Sequence, residues 1–160
     1  MTDRTQKGVP AGRILIVDDE KAICEVIAAM LVSANYESRE AASGVEALAV
    51  LESGEEFDLV LSDLMMPDLD GIGLLERSKD KYPDMPVVIV TAVCDISVAL
   101  ATIRRGAQDY LMKPFEREQL LAVVRRALEY RRAMLDHRAY VSGLESQVAS
   151  LTEQLRGRKS

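Results

Sequence analysis

Three short apolar runs constrain this chain more than anything else in it: Ile14-Leu15-Ile16-Val17, Leu59-Val60-Leu61 and Val87-Val88-Ile89-Val90. They are rich in β-branched residues, too short for buried helices, and lack the alternation of a half-exposed strand. Each therefore reads as a strand covered on both faces. A weaker run over 36–42 and the run Asp109-Tyr110-Leu111-Met112 complete a set of five. Helical signals fill the gaps. Ile23, Ile27, Met30 and Leu31 share one face of a segment over 21–34. Ser43-Gly44-Val45-Glu46 has the form of a capping box, which predicts a helix to about 52, stopped by Ser53-Gly54. Pro67, Asp70 and Gly71 mark a loop before a helix to about 81. A further helix over 97–105 ends at Gly106, and a last one begins near Glu116. Strand and helix alternate five times, which predicts an α/β fold with a parallel sheet and helices on both faces.

With 160 residues, 48% of them hydrophobic, the chain has enough core for one domain and too little for two of ordinary size. A net charge of -6 argues against a direct nucleic-acid binder. The charge is uneven: from Leu120 onward eight basic residues stand against four acidic ones, so an acidic body carries a mildly basic tail. Cys24 and Cys94 form no metal-type or redox-type pair and read as reduced, packed thiols of a cytoplasmic protein. Residues 1–12 are polar and glycine-containing and read as a disordered lead-in, with no apolar stretch of signal-peptide or membrane-spanning length.

The residues that carry chemistry stand at the strand ends. Asp18 and Asp19 come after the first strand, Asp63 after the third, Thr91 after the fourth and Lys113 after the fifth. In an open α/β sheet the carboxyl ends of the strands form the ligand-binding edge. Three carboxylates brought together there repel one another and call for a cation between them. An all-oxygen donor set suits Mg²⁺. Lys113 adds a mobile positive charge, Thr91 a hydroxyl donor, and Asp63 a carboxylate that can act as a nucleophile toward phosphorus. These are the parts phosphoryl transfer needs. Taken one at a time they say little, since an acid after a strand is more often a helix cap and a tyrosine such as Tyr110 more often core.

Together, Asp18-Asp19, Asp63 with the adjoining Leu64-Met65-Met66-Pro67-Asp68-Leu69-Asp70-Gly71, Thr91-Ala92 and Lys113-Pro114 resemble the response-regulator receiver family over about 13–128. The resemblance implies a flavodoxin-like doubly wound sheet of five strands in the order 2-1-3-4-5. It implies that Asp63 takes a phosphoryl group from a sensor histidine kinase or a phosphotransfer protein. Mg²⁺ would be held by Asp18, Asp19, Asp63 and the Met65 backbone carbonyl. Lys113 would pair with the phosphoryl group, and Thr91 and Tyr110 would act as the switch pair. It also implies a cis Lys113-Pro114 bond and, through the small Ala92, open access for phosphate. Met65 and Val93 would flank the water that hydrolyses the phosphoaspartate. Neither side chain orients water, so a long-lived phosphorylated state is expected. Such a domain phosphorylates and dephosphorylates itself with Mg²⁺ but is not otherwise an enzyme. A phosphatase with an aspartate nucleophile needs a second acid where Met65 stands. A receiver-like interaction module that acts without phosphorylation is the alternative, although no acid or lysine has been lost here.

The last helix runs on past the point where such a domain would end. Val123, Ala127, Tyr130, Met134, His137, Val141, Leu144, Val148, Leu151 and Leu155 are spaced by steps of four and three, a heptad seam whose one polar entry is the only histidine. The helix is expected over about 117–155. Residues 129–160 are then a coiled-coil extension, or a linker to a missing output domain, and a parallel homodimer is the favoured partner arrangement. The alternative is a solvated helix whose seam packs on its own domain. Arg125-Arg126 and Arg131-Arg132 fit outer coil faces better than a nucleic-acid contact.

Overall fold

A computed structural model describes residues 10–158. Strands β1 (Arg13–Val17), β2 (Glu37–Ala41), β3 (Leu59–Ser62), β4 (Val87–Thr91) and β5 (Asp109–Met112) form one parallel sheet in the order β2-β1-β3-β4-β5, as expected. Helices α1 (Lys21–Ser33), α2 (Gly44–Glu52), α3 (Gly71–Lys81), α4 (Ile96–Arg104) and α5 (Arg117–Arg158) alternate with the strands. The strand order reverses beside β1, and this reversal opens the crevice at the carboxyl edge.

Side chains of successive strand residues go to opposite faces. Leu15, Val17, Val60, Val87 and Ile89 meet Ala47, Val50 and Leu51 of α2 and Leu74 and Leu75 of α3. Ile14, Ile16, Leu59, Leu61, Val88 and Val90 meet Cys24, Ile27 and Leu31 of α1 and Leu120, Leu121, Val124 and Ala127 of α5. Two apolar layers flank one sheet, which is why the inner strands carry no polar alternation.

Local signals set the helix ends. Ser43 accepts the Glu46 amide at 3.0 Å, and Glu46 reaches back to the Ala42 amide at 2.6 Å, one residue earlier than an ideal capping box. Asp70 caps α3 through the Gly73 amide at 2.8 Å, and Asp95 caps α4 through the Ser97 amide at 2.8 Å. Gly106 takes φ 112° just past α4, a conformation that costs a glycine little.

Three expectations meet a different picture. Residues 1–9 of the lead-in lie outside the described residues, but Ala11 donates to the Asn35 carbonyl at 2.8 Å and Gly12 accepts from the Glu37 amide at 2.9 Å. The chain is thus already bound to the β2 edge before β1 begins. Cys94 is exposed, not packed, because it sits in the loop between β4 and α4, while Cys24 is buried. Val123 and Ala127, counted in the heptad seam, are buried in the domain core. The bare seam begins further along.

The α4–β5 edge is thinly covered. α4 buries only Thr102, and Ile96, Leu100, Ile103 and Met112 are exposed. α5 does two jobs: its first turns seal the core, and from 136 to 157 every residue is exposed. Around the start of the exposed part, Arg131 pairs with Asp58 at 3.1 Å and Arg138 with Asp84 at 2.5 Å.

Leu74 is fully buried, so Leu74→Ala is expected to lower the unfolding free energy by about 2–5 kcal/mol through the cavity it leaves. Ile96→Ala, on the bare face of α4, is expected to change it by less than about 0.5 kcal/mol. Urea denaturation of both variants checks the contrast.

Candidate functional site

Val17 of β1 is paired in register with Ser62 of β3, so Asp18 and Asp63, one residue further along, stand side by side. The Asp63 amide donates to the Val17 carbonyl at 2.9 Å, and the Asp18 amide to the Ala41 carbonyl at 3.1 Å. Both carboxylates are thereby held at the sheet edge by backbone pairing. Asp18 is 2% exposed and Asp63 8%, whereas Asp19 is exposed. One carboxylate oxygen from each of the three lies within 4.8 Å of the others.

Lys113 answers this concentration of negative charge. The β4–β5 pairing carries on past the strands, with the Lys113 amide donating to the Thr91 carbonyl at 2.8 Å. Its ammonium then donates to Asp18 Oδ2 at 2.7 Å and to Asp63 Oδ2 at 3.4 Å. Burial by itself pulls the Lys113 pKa down. The hydrogen bond and charge of Asp18, joined by Asp63, outweigh it and hold the group above the ordinary lysine value. The lysine stays charged at neutral pH. The Lys113-Pro114 bond is cis, as expected.

The other oxygens of the two buried acids are also engaged. Asp18 Oδ1 accepts from the Glu20 amide at 2.9 Å, and Asp63 Oδ1 from the Leu64 amide at 2.7 Å and the Met65 amide at 3.5 Å. Thr91 is buried, and its hydroxyl oxygen accepts from the Val93 amide at 3.4 Å. Tyr110 is half-buried and donates its hydroxyl to the Val93 carbonyl at 2.8 Å, which ties β5 to the loop leaving β4. Burial, then the negative charge of Cys94, Asp63 and Asp95, pushes its pKa above the ordinary tyrosine value. The Met65 side chain is 65% exposed beside Asp63. His137 lies on the exposed part of α5 and takes no part in the cluster.

The donor set passes the chemical test for a hard divalent cation. Its three carboxylates come from two strand ends, two of the three are buried, and no nitrogen or sulfur donor belongs to the group.

Two supporting residues escaped the sequence reading. Buried Ser62 donates its hydroxyl to the Asp63 carbonyl at 2.9 Å. A lone serine among apolar strand residues was the available signal. Gly71 passes so close to the site that a Cβ there would stand 2.4 Å from the Asp63 carbonyl oxygen. In the sequence it marks a loop and closes the receiver-like motif after Asp63, but glycine does not reveal what lies against it.

The sequence matches the response regulator receiver domain over residues 14–125. The chain belongs to this family. This receiver is 37% identical over 121 residues to the DNA-binding transcriptional regulator NtrC of Proteus hauseri, a match covering 76% of this chain and 25% of that protein. It is 35% identical over 146 residues to a putative response regulator NtrX-like protein of Rickettsia felis, covering 90% of this chain and 30% of the relative. Among solved structures, NtrX from Brucella abortus aligns with a TM-score of 0.76 at 35% identity, over 80% of this chain and 29% of that one. A response regulator receiver domain protein from Clostridium thermocellum aligns at 0.72 with 30% identity, over 76% of this chain and 98% of that one. The chain thus spans about a quarter of the length of the curated relatives it matches first. It is the receiver domain of a two-component response regulator, a signalling switch.

The two thiols of the receiver should differ sharply. Burial first, then the charges of Asp18 and Glu40, raise the Cys24 pKa to about 11. At pH 8 this thiol stays protonated and shielded, and the thiolate is the reactive form. Native protein treated with an aromatic disulfide at pH 8 is expected to lose one thiol quickly, at Cys94, and the second only on unfolding. Equal rates would contradict this placement.

Proposed function

We propose that this receiver is a phosphoacceptor switch in which Asp63 takes a phosphoryl group from a sensor histidine kinase or a phosphotransfer protein. The observation that carries the reading is the Lys113 ammonium, 2.7 Å from Asp18 and 3.4 Å from Asp63, in a group that also holds Asp19. In the transfer an Asp63 oxygen bonds to phosphorus while the bond from phosphorus to the donor imidazole nitrogen breaks, its electron pair staying on the nitrogen. Asp18, Asp19, Asp63 and the Met65 backbone carbonyl would hold Mg²⁺, which offsets the carboxylate charge and that of the phosphoryl oxygens. Lys113 exchanges part of its contact with Asp18 for a phosphoryl oxygen. Thr91 donates its hydroxyl to another.

The signal then leaves along the loop after β4. As Thr91 moves, Tyr110 gives up the Val93 carbonyl and turns inward. The neighbouring edge, where α4 buries only Thr102, resists little. The receiver occupies 13–128, and the change passes through β5 and α5 to the extension over 129–160, where it acts through a homodimeric coiled coil or a downstream output domain. No direct nucleic-acid or membrane contact is part of this reading. No helix among the described residues is long and apolar enough to cross a membrane. The site of action is the cytoplasm.

Incubation with Mg²⁺ and a small phosphodonor, with the intact mass then measured, tests the chemistry. The parent protein is expected to gain one phosphoryl group, and Asp63→Asn or a chelated sample none. Because Met65 and Val93 are apolar, the adduct is expected to last minutes or longer; loss within seconds would contradict that. No uptake by the parent would leave a receiver-like module acting without phosphorylation. Repeated turnover would make it a phosphatase. Sedimentation with and without beryllofluoride tests the dimer: a concentration-dependent dimer is expected, and a monomer at every concentration in both states rules it out.

A further inference from the structure

The exposed part of α5 carries more information than an apolar stripe. Val141, Leu144, Val148, Leu151 and Leu155 are 38% to 62% exposed along one face of the bare helix. Their steps of three and four place Val141, Val148 and Leu155 at heptad position a, and Leu144 and Leu151 at d. Continued toward the receiver, the same frame puts Met134 at a and His137 at d. A β-branched residue at a with leucine at d favours two parallel strands.

The flanking positions agree. Arg131 and Arg138 fall at e, and each is taken by an acid of its own receiver, Asp58 at 3.1 Å and Asp84 at 2.5 Å. The receiver therefore lies beside the e column and leaves the a and d stripe bare. In a parallel, in-register pair each g residue faces the e residue five positions later on the other helix. Tyr140 then meets Glu145, a phenol donor against a carboxylate, and Gln147 meets Thr152, an amide against a hydroxyl. No like charges are opposed from Ala133 onward. An antiparallel pair over the same seam instead brings Glu145 close to its own counterpart, two carboxylates side by side. The core layers are also uniform except at one place. His137 is the only polar residue in the stripe, and a slip of one heptad sets each imidazole against an apolar layer.

We infer that α5 pairs with α5 of a second copy of this chain in parallel and in register, with the two His137 side chains sharing one layer near the receiver end of the coil and fixing that register. This rests on the homodimer reading above. The two receivers then sit on opposite sides of the pair, at the same end of the coil.

Disulfide trapping in the full chain tests it, in a Cys94→Ser background that removes the exposed native thiol. Leu144→Cys is expected to give a covalent dimer on mild oxidation, because in-register d residues come within disulfide reach. A mixture of Val141→Cys and Leu151→Cys proteins is expected to give no mixed dimer. Mixed trapping without Leu144→Cys trapping would mean an antiparallel pair and overturn the inference alone. A parent that sediments as a monomer at every concentration would instead remove the homodimer reading beneath it. His137→Leu is expected to tighten dimerisation about tenfold and to let out-of-register pairs form, trapped as Leu144→Cys with Leu151→Cys. Unchanged affinity and unchanged trapping in that variant would overturn the role given to His137.

Discussion

One ammonium between two buried carboxylates is the interaction on which the rest of this structure turns. Parallel pairing of β1 with β3 forces Asp18 and Asp63 side by side at the sheet edge, and Asp19 is the very next residue in sequence. Like charges at such separation, away from bulk water, need a counter-charge. Lys113 supplies one, reaching in from the far end of β5. Its hold spans four strands of the sheet and couples the fifth to the first. A second cation entering the cluster would have to share these oxygens with it, so under the proposed function metal, lysine and phosphoryl group would form one charge balance rather than three independent sites.

The fold serves that edge. Two apolar layers make the sheet rigid, backbone bonds pin Asp18 and Asp63, Ser62 braces the Asp63 carbonyl from behind, and only a glycine fits at position 71 beside it. Rigidity falls off toward α4 and β5, the side on which Tyr110 and the loop after β4 lie. α5 joins both regimes. Its first turns belong to the core, and its turns from 136 to 157 stand exposed. The ion pairs of Arg131 and Arg138 around the start of the exposed part are partly exposed and contribute about 0–1 kcal/mol each, enough to orient the helix but not to hold it.

The sheet and its polar edge were legible in the sequence for a physical reason. Strands buried on both faces leave unbroken apolar runs, and the residues ending those runs must face the crevice. Asp18, Asp19, Asp63, Thr91 and Lys113 could be picked out from position before any contact was known, and the helix start at Ser43 could be placed from its cap. Other features depend on what lies across the chain. Val123 and Ala127 fit a coil stripe and a core stripe equally well, and only packing on the sheet decides for the core. Ile96, Leu100 and Ile103 look as apolar as a buried helix face, yet α4 leaves them in solvent. Cys94 reads like Cys24 until the loop it occupies is seen. Gly71 and Ser62 gain meaning only from the Asp63 carbonyl beside them.

The central claim, that Asp63 and its neighbours form a cation site balanced by Lys113, is tested most directly by thermal unfolding during a Mg²⁺ titration. A cation bound only by the folded state raises the midpoint in step with its concentration. The parent protein should show this rise, and Asp19→Asn and Asp63→Asn should lose most of it. A parent midpoint that ignores Mg²⁺, or an equal rise in Asp63→Asn, would contradict the account.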